Sequence, residues 1–335
     1  MRPRLQIKYQ AFLGGILLSW ALISSLLAFD AGAAAENFPN SARCWKAFGA
    51  IARNYQPGAS AITYDTLPTG IEWEGLRPPT INLRRLITLL SQELEGRGIR
   101  IDAIDPETHT LRFRRGNEVY LIEVKNENFW KDDEATEIVS PILRNASDRQ
   151  LFLDLIGRLP ALGLRELPDH AGVHFHFDFN AAAPAEILVL LRAWSLVEKE
   201  VMSRAGVRAA RMSYNNPVLP RVENLLRDLA NGTWNPSQMD AFTSLMSYFR
   251  DETGRVSRQF SLNLDALTKH GTVEFRFMNS TTNSVEIARY HRFTGALVAA
   301  VRRRDPLLLD WLARASQGEH ATVENLAQAL GVPAP

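Results

Sequence analysis

Three short segments place pairs of ionisable side chains in strict alternation with apolar ones. "GVHFHFDFN" at 172–180 sets His174, His176 and Asp178 against Phe175, Phe177 and Phe179. "TVEFRF" at 272–277 sets Glu274 and Arg276 against Val273, Phe275 and Phe277, and "GIEWEG" at 70–75 sets Glu72 and Glu74 against Ile71 and Trp73. Successive side chains of an extended strand point to opposite faces, so each segment predicts one greasy face and one that can coordinate or carry charge. A half-buried antiparallel sheet shows the same alternation, but its wet side usually draws on Lys, Thr, Ser and Gln. Here it draws almost exclusively on Glu, His, Asp and Arg, the palette of a metal and phosphate site. Glu72, Glu74, Glu274 and Glu137 of "TEIVSPIL", with one His, make an oxygen-rich donor set with a single nitrogen, suited to Mg²⁺ or Mn²⁺. Carboxylates packed this closely need bound cations or sharply raised pKa values. Arg276 adds a planar fork for a phosphate or a second carboxylate, and metal with Arg is common equipment for phosphoryl transfer.

The intervening sequence supplies the elements that must hold these strands. "RPPTINLRRLITLLSQELEGRGI" reads as a helix closed by Gly96 and Gly98. "RIDAIDPETHTLRFRRGNEVYLIEVKN" follows as two or three strands with turns at DPET and RRGN. Helices are predicted in "DRQLFLDLIGRLPALGL", in "APAEILVLLRAWSLVEKEVMSRAG" with Pro184 in its first turn, and in "PVLPRVENLLRDLA" and "NPSQMDAFTSLMSYFRDET". "SRQFSLNLDALTKHGTVEFRF" reads as strand, turn and the Glu–Arg strand, before the helix "SVEIARYHRFTGALVAAVRRR" and a helical tail. The pattern is α+β, with the aromatic sides of the strands expected under helices.

The 335 residues are 46% hydrophobic and 22% charged, enough for a large core, and the net charge of +1 gives no reason to expect nucleic acid. Cys44 is the only cysteine, which excludes an intrachain disulfide and a Cys-based zinc cluster. At the N-terminus Arg2, Arg4 and Lys8 precede a run without charge to Phe29 and then the small residues of "AGAAAE". Residues 1–35 therefore read as a signal peptide or an N-terminal membrane anchor, with attachment through residues 9–29. The remainder is expected on the periplasmic side, or in the cytoplasm if the start is mis-called. Residues 36–66 read as a linker or added helix, 67–310 as the main domain and 311–335 as a helical tail.

"TGIEWE", "TEIVSPIL", "GVHFHFDFN" and "SLNLDALTKHGTVEFRFMNSTTN" stand in the order and rough spacing of the amidoligase family, a branch of the carboxylate–amine ligases, and the chain resembles that family over about 67–310. The resemblance implies a glutamine-synthetase-like domain, a curved, mostly antiparallel sheet with helices on its outer face. It implies that Glu72, Glu74, Glu137, His174 and Glu274 hold metal, and that Glu274 and Arg276 are catalytic. His176 and Arg276 would approach the phosphates of ATP. Arg211 in "ARMSYNNP" resembles the basic residue that faces a substrate carboxylate. The implied reaction joins a small-molecule or peptide carboxylate to an amine, using ATP and Mg²⁺ or Mn²⁺, through an acyl phosphate. Two alternatives stand beside it: an exported hydrolase with metal on His174, His176 and Asp178, and a membrane-tethered binding module without chemistry.

Overall fold

The computed structural model describes residues 47–51, 61–127, 134–213 and 215–335. The proposed leader at 1–35 and Cys44 lie outside the described residues. Among the described residues no helix is long and apolar enough to cross a membrane.

Among the described residues eight strands form one open sheet: β1 (Thr69–Leu76), β2 (Arg100–Asp105), β3 (Thr110–Arg115), β4 (Glu118–Asn126), β5 (Ala135–Val139), β6 (Gly172–Asp178), β7 (Leu262–Asn263) and β8 (Thr272–Asn279). Their spatial order is β2-β3-β4-β5-β1-β6-β8-β7, and every pairing between neighbours is antiparallel. The α+β class expected from the sequence is thus observed, and the third strand of the 100–126 stretch is real. The segment 261–271 differs from the expected strand and turn. Its strand is only two residues long, and Asp265–His270 closes into a short helix that ends at Gly271, where φ is +69°.

The helices are α1 (Leu83–Glu95), α2 (Ala146–Arg158), α3 (Pro184–Arg204), α4 (Leu219–Asn231), α5 (Ala241–Ser247), α6 (Asp265–His270), α7 (Ser284–Arg303), α8 (Pro306–Ser316) and α9 (Val323–Leu330). Helix α1 starts where the Asn82 side chain accepts from Arg85 N, and its apolar stripe Leu83, Leu86, Ile87, Leu90 and Leu94 packs on β2–β4. On the central strands the alternation sends Ile71, Trp73, Phe175, Phe177, Val273, Phe275 and Phe277 to full burial. Trp194 of α3 meets Phe275 and Phe277 at ring separations of 4.9 and 5.3 Å, and Tyr290 of α7 meets Phe277 at 5.6 Å. The aromatic face is therefore under helices, as its composition predicts.

His291 of α7 is sealed into this layer. Its ring lies 5.2 Å from that of Phe175 and 5.0 Å from that of Phe177, and Nδ1 is 2.9 Å from the Tyr64 hydroxyl. Burial, helped by the charge of Arg149, pushes its pKa down to about 3. A His held neutral in the fold contributes stability above its ordinary pKa of about 6.5, and that stability is lost as pH falls from there toward 3. The expected result is a melting temperature that drops between pH 7.5 and pH 5, with a shallower drop in His291→Leu whatever that variant's melting temperature at pH 7.5. Parallel pH dependences in the two proteins would contradict it.

Candidate active site

The site grows out of strand register on the sheet face opposite the aromatic layer. Glu72 of β1 sits across from His174 of β6, His176 from Glu274 of β8, and Glu74 from Glu137 of β5. Gly70 is opposite His176, which leaves room above the imidazole. Between Val173↔Met278 and Phe175↔Phe275, two steps along β6 match three along β8, so a β-bulge falls at Arg276–Phe277. Bulges bend a strand and re-aim side chains, and this one lies where Arg276 must turn to meet Glu274.

Glu72 lies at the centre. Its Oε2 is 3.2 Å from His174 Nδ1 and its Oε1 is 3.2 Å from His176 Nε2. Glu274 Oε1 is 3.4 Å from His174 Nδ1 and 3.7 Å from His176 Nε2, and it accepts a hydrogen bond from Arg276. Burial alone would raise the Glu72 carboxyl, yet hydrogen bonds from His174 and His176 hold it well below the carboxylate range. Burial opposes ionisation of Glu274 too, but Arg276 and the two imidazoles bring it down to about 2. His176 is pushed up: burial disfavours its charge, and the Glu72 and Glu274 carboxylates outweigh burial. Anions packed here keep their charge only through cations beside them.

Glu72, Glu137, His176, Glu274 and Arg276 line one cavity of about 260 Å³. Glu74 and His174 share the face but sit beneath it. Glu74 Oε2 accepts from Gly172 N at 2.8 Å and lies 3.7 Å from His174 Nε2, while His174 is fully buried. Of the two imidazoles, His176 is the one that opens to the cavity. Glu72, His176 and Glu274 can each turn a ligand atom to within 4.8 Å of the others. The Nε2 atom of His174 is buried without a hydrogen-bond partner, and that of His176 is turned to the Glu72 carboxylate. Two carboxylates and an imidazole, closely set, fit a hard divalent cation such as Mg²⁺ or Mn²⁺. Glu137 stands to one side. Its carboxyl is pushed up to about 10 by burial, by a hydrogen bond to Glu127 and by the charge of Glu72.

Arg211 departs from its expected place. The guanidinium is buried behind Gly172, where an added Cβ would fall 2.2 Å from it, and it donates to the carbonyls of His170, Arg276 and Met278. It also lies 4.0 Å from Glu74 Oε2. Arg211 is outside the cavity lining and pins the backbone of β8, because a loop guanidinium with three carbonyls in reach satisfies them first. Asp178 of the hydrolase alternative also lies apart from the Glu72, His176 and Glu274 group: its Oδ1 accepts from Asn180 N, which turns the chain after β6.

Sequence reasoning missed Lys125, Glu127, Arg258, Asn263, Asp265, Lys269 and His270, which with Ala266 complete the lining. Lys125 was within reach as a cross-strand partner of Glu137, had β4 been paired with β5. The others sit on loops, on the two-residue β7 or on α6, where no periodic signal exists.

Acid, imidazole and guanidinium groups gathered from four strands into one cavity on an open sheet mark the candidate active site. The chain belongs to the family described as "Putative amidoligase enzyme", whose model matches residues 107–298. The match takes in β3 to β8 and so Glu137, His174, His176, Glu274 and Arg276, while Glu72 and Glu74 join by strand pairing. Curated proteins give no match to the chain.

Proposed function

We propose that this amidoligase is an ATP-dependent carboxylate–amine ligase that uses Mg²⁺ or Mn²⁺, forms an amide through an acyl phosphate, and carries the glutamine-synthetase-like form of the α+β fold. The observation that carries this reading is Arg276 beside Glu274, in the same cavity as Glu72 and His176. A divalent cation bound there would offset charge on phosphoryl oxygens as they leave the nucleotide. Glu72, Glu274 and His176 would hold it, and His174 would orient the first two from below. Arg276 would donate to the transferring phosphoryl group, where its fork matches paired oxygens. No side-chain nucleophile is required, since the substrate carboxylate would attack the γ-phosphorus as ADP leaves, and the amine would then attack the acyl carbon, losing a proton as inorganic phosphate leaves.

Glu127 and Glu137 form the acidic flank of the cavity, where a carboxyl of Glu137 kept protonated beside Glu127 would offer an O–H donor to the incoming substrate. The acceptor is a small-molecule or peptide carboxylate. The test is ATP turnover by the purified full-length protein with Mg²⁺ or Mn²⁺ and a panel of amino acids and short peptides, with the products read by mass spectrometry. Phosphate release tied to a new amide is the expected result. Metal-dependent cleavage of a substrate without any need for nucleotide would replace the ligase reading by the hydrolase one.

A further inference from the structure

Asn263, on the two-residue strand β7, joins two parts of the site. It is buried at 3% exposure, pairs in register with Glu274, and lines the cavity. The orientation of its amide is dictated by its partners. The backbone N–H of Asp265 can only donate, so it meets Asn263 Oδ1, at 2.8 Å, and this turns Nδ2 onto Glu274 Oε2 at 2.5 Å. Glu274 Oε1 faces the other way, toward Arg276, His174 and His176. One oxygen of the carboxylate is tied and one is presented to the imidazoles.

A cation that took both oxygens of Glu274 would compete with the amide for Oε2, and an amide displaced from it would be left a buried, unpaired donor, which is costly. Mg²⁺ and Mn²⁺ are served by one oxygen in an octahedral shell, whereas Ca²⁺ takes more oxygens in looser geometry and often grips a carboxylate through both. We propose that Asn263 is a positioning residue that holds Glu274 to single-oxygen ligation and so selects small octahedral cations against Ca²⁺. This role presupposes divalent-cation binding at the Glu72, His176 and Glu274 group, as in the function proposed above.

The test measures selectivity and needs no turnover. Mn²⁺ binding to the purified full-length protein is followed by electron paramagnetic resonance, and Mg²⁺ and Ca²⁺ are titrated as competitors. In Asn263→Ala the ratio of Ca²⁺ to Mg²⁺ competition should move toward Ca²⁺ by about tenfold, the scale on which partners of metal ligands act. Asn263→Asp keeps the oxygen that caps Asp265 N but turns the donor into an acceptor, and it should move the ratio the same way. This variant separates the grip on Glu274 from the cap on α6. Equal weakening of all three metals in both variants, or failure of both to fold, overturns the proposal and leaves Asn263 a structural residue. Absence of Mn²⁺ binding in the wild type would instead overturn the metal reading of the whole site.

Discussion

Arg276→Ala should cost about a hundredfold in ATP-dependent turnover, roughly 3 kcal/mol, because it removes charge stabilisation that develops mainly in the transition state. The guanidinium pairs with Glu274 Oε1, and its buried Nε has no hydrogen-bond partner among the described residues, so part of the fork is uncommitted. Mn²⁺ affinity should hold or rise in this variant, since a cation at Glu274 replaces the positive charge that was removed. Arg276→Lys should rescue little, because a point charge cannot reproduce two parallel hydrogen bonds. The measurements are turnover and Mn²⁺ binding on the same preparations. Full turnover in Arg276→Ala would end its assignment to phosphoryl transfer.

Glu72→Gln should be the most damaging single change to the cation site. Glu72 is in contact with both imidazoles, and against the pull of burial their hydrogen bonds hold its carboxyl well below the usual carboxylate range. The amide keeps the shape but removes the charge, and its nitrogen cannot accept from an imidazole. Mn²⁺ affinity should fall at least about tenfold and turnover by about a hundredfold or more, with partial recovery at high Mg²⁺ or Mn²⁺. Arg276→Ala should show no such recovery. Loss of turnover in Glu72→Gln with unchanged Mn²⁺ binding would take Glu72 out of the cation site.

The parts of this site visible in the sequence are those written in a period. Alternation in β1, β6 and β8 gave the shared face of Glu72, Glu74, His174, His176, Glu274 and Arg276, and the opposite face of Trp73 and the Phe residues is buried under α3 and α7. Depth along that face has no such code. Glu72 and Glu74 are equivalent by spacing, yet one borders the cavity and the other is met by Gly172 N; His176 and His174 differ in the same way. The difference comes from register with neighbouring strands and from the loops that cover one end of the face, both long-range properties. Asn263 was beyond reach because a strand of two residues shows no alternation. Arg211 misled because a basic residue near a Tyr and a Pro carries no record of the carbonyls that fold around it.

The place of β1 in the sheet has a consequence for how the protein is built and cut. β1 lies between β5 and β6, so the first of the described strands is the keystone of two halves made from later sequence. Its pairing with β6 brings together residues about 100 apart, Glu72 and His174 among them, and closing so long a loop is slow. Until β1 is in place, β5 and β6 each expose a bare edge. The same holds for a fragment limited to the family-matched residues 107–298: without Thr69–Leu76 its strands fall into β3-β4-β5 and β6-β8-β7, two sheets with unpaired inner edges. Such edges recruit other chains, so clipping ahead of residue 107 turns a folded enzyme into an aggregating one before any site residue beyond Glu72 and Glu74 is lost.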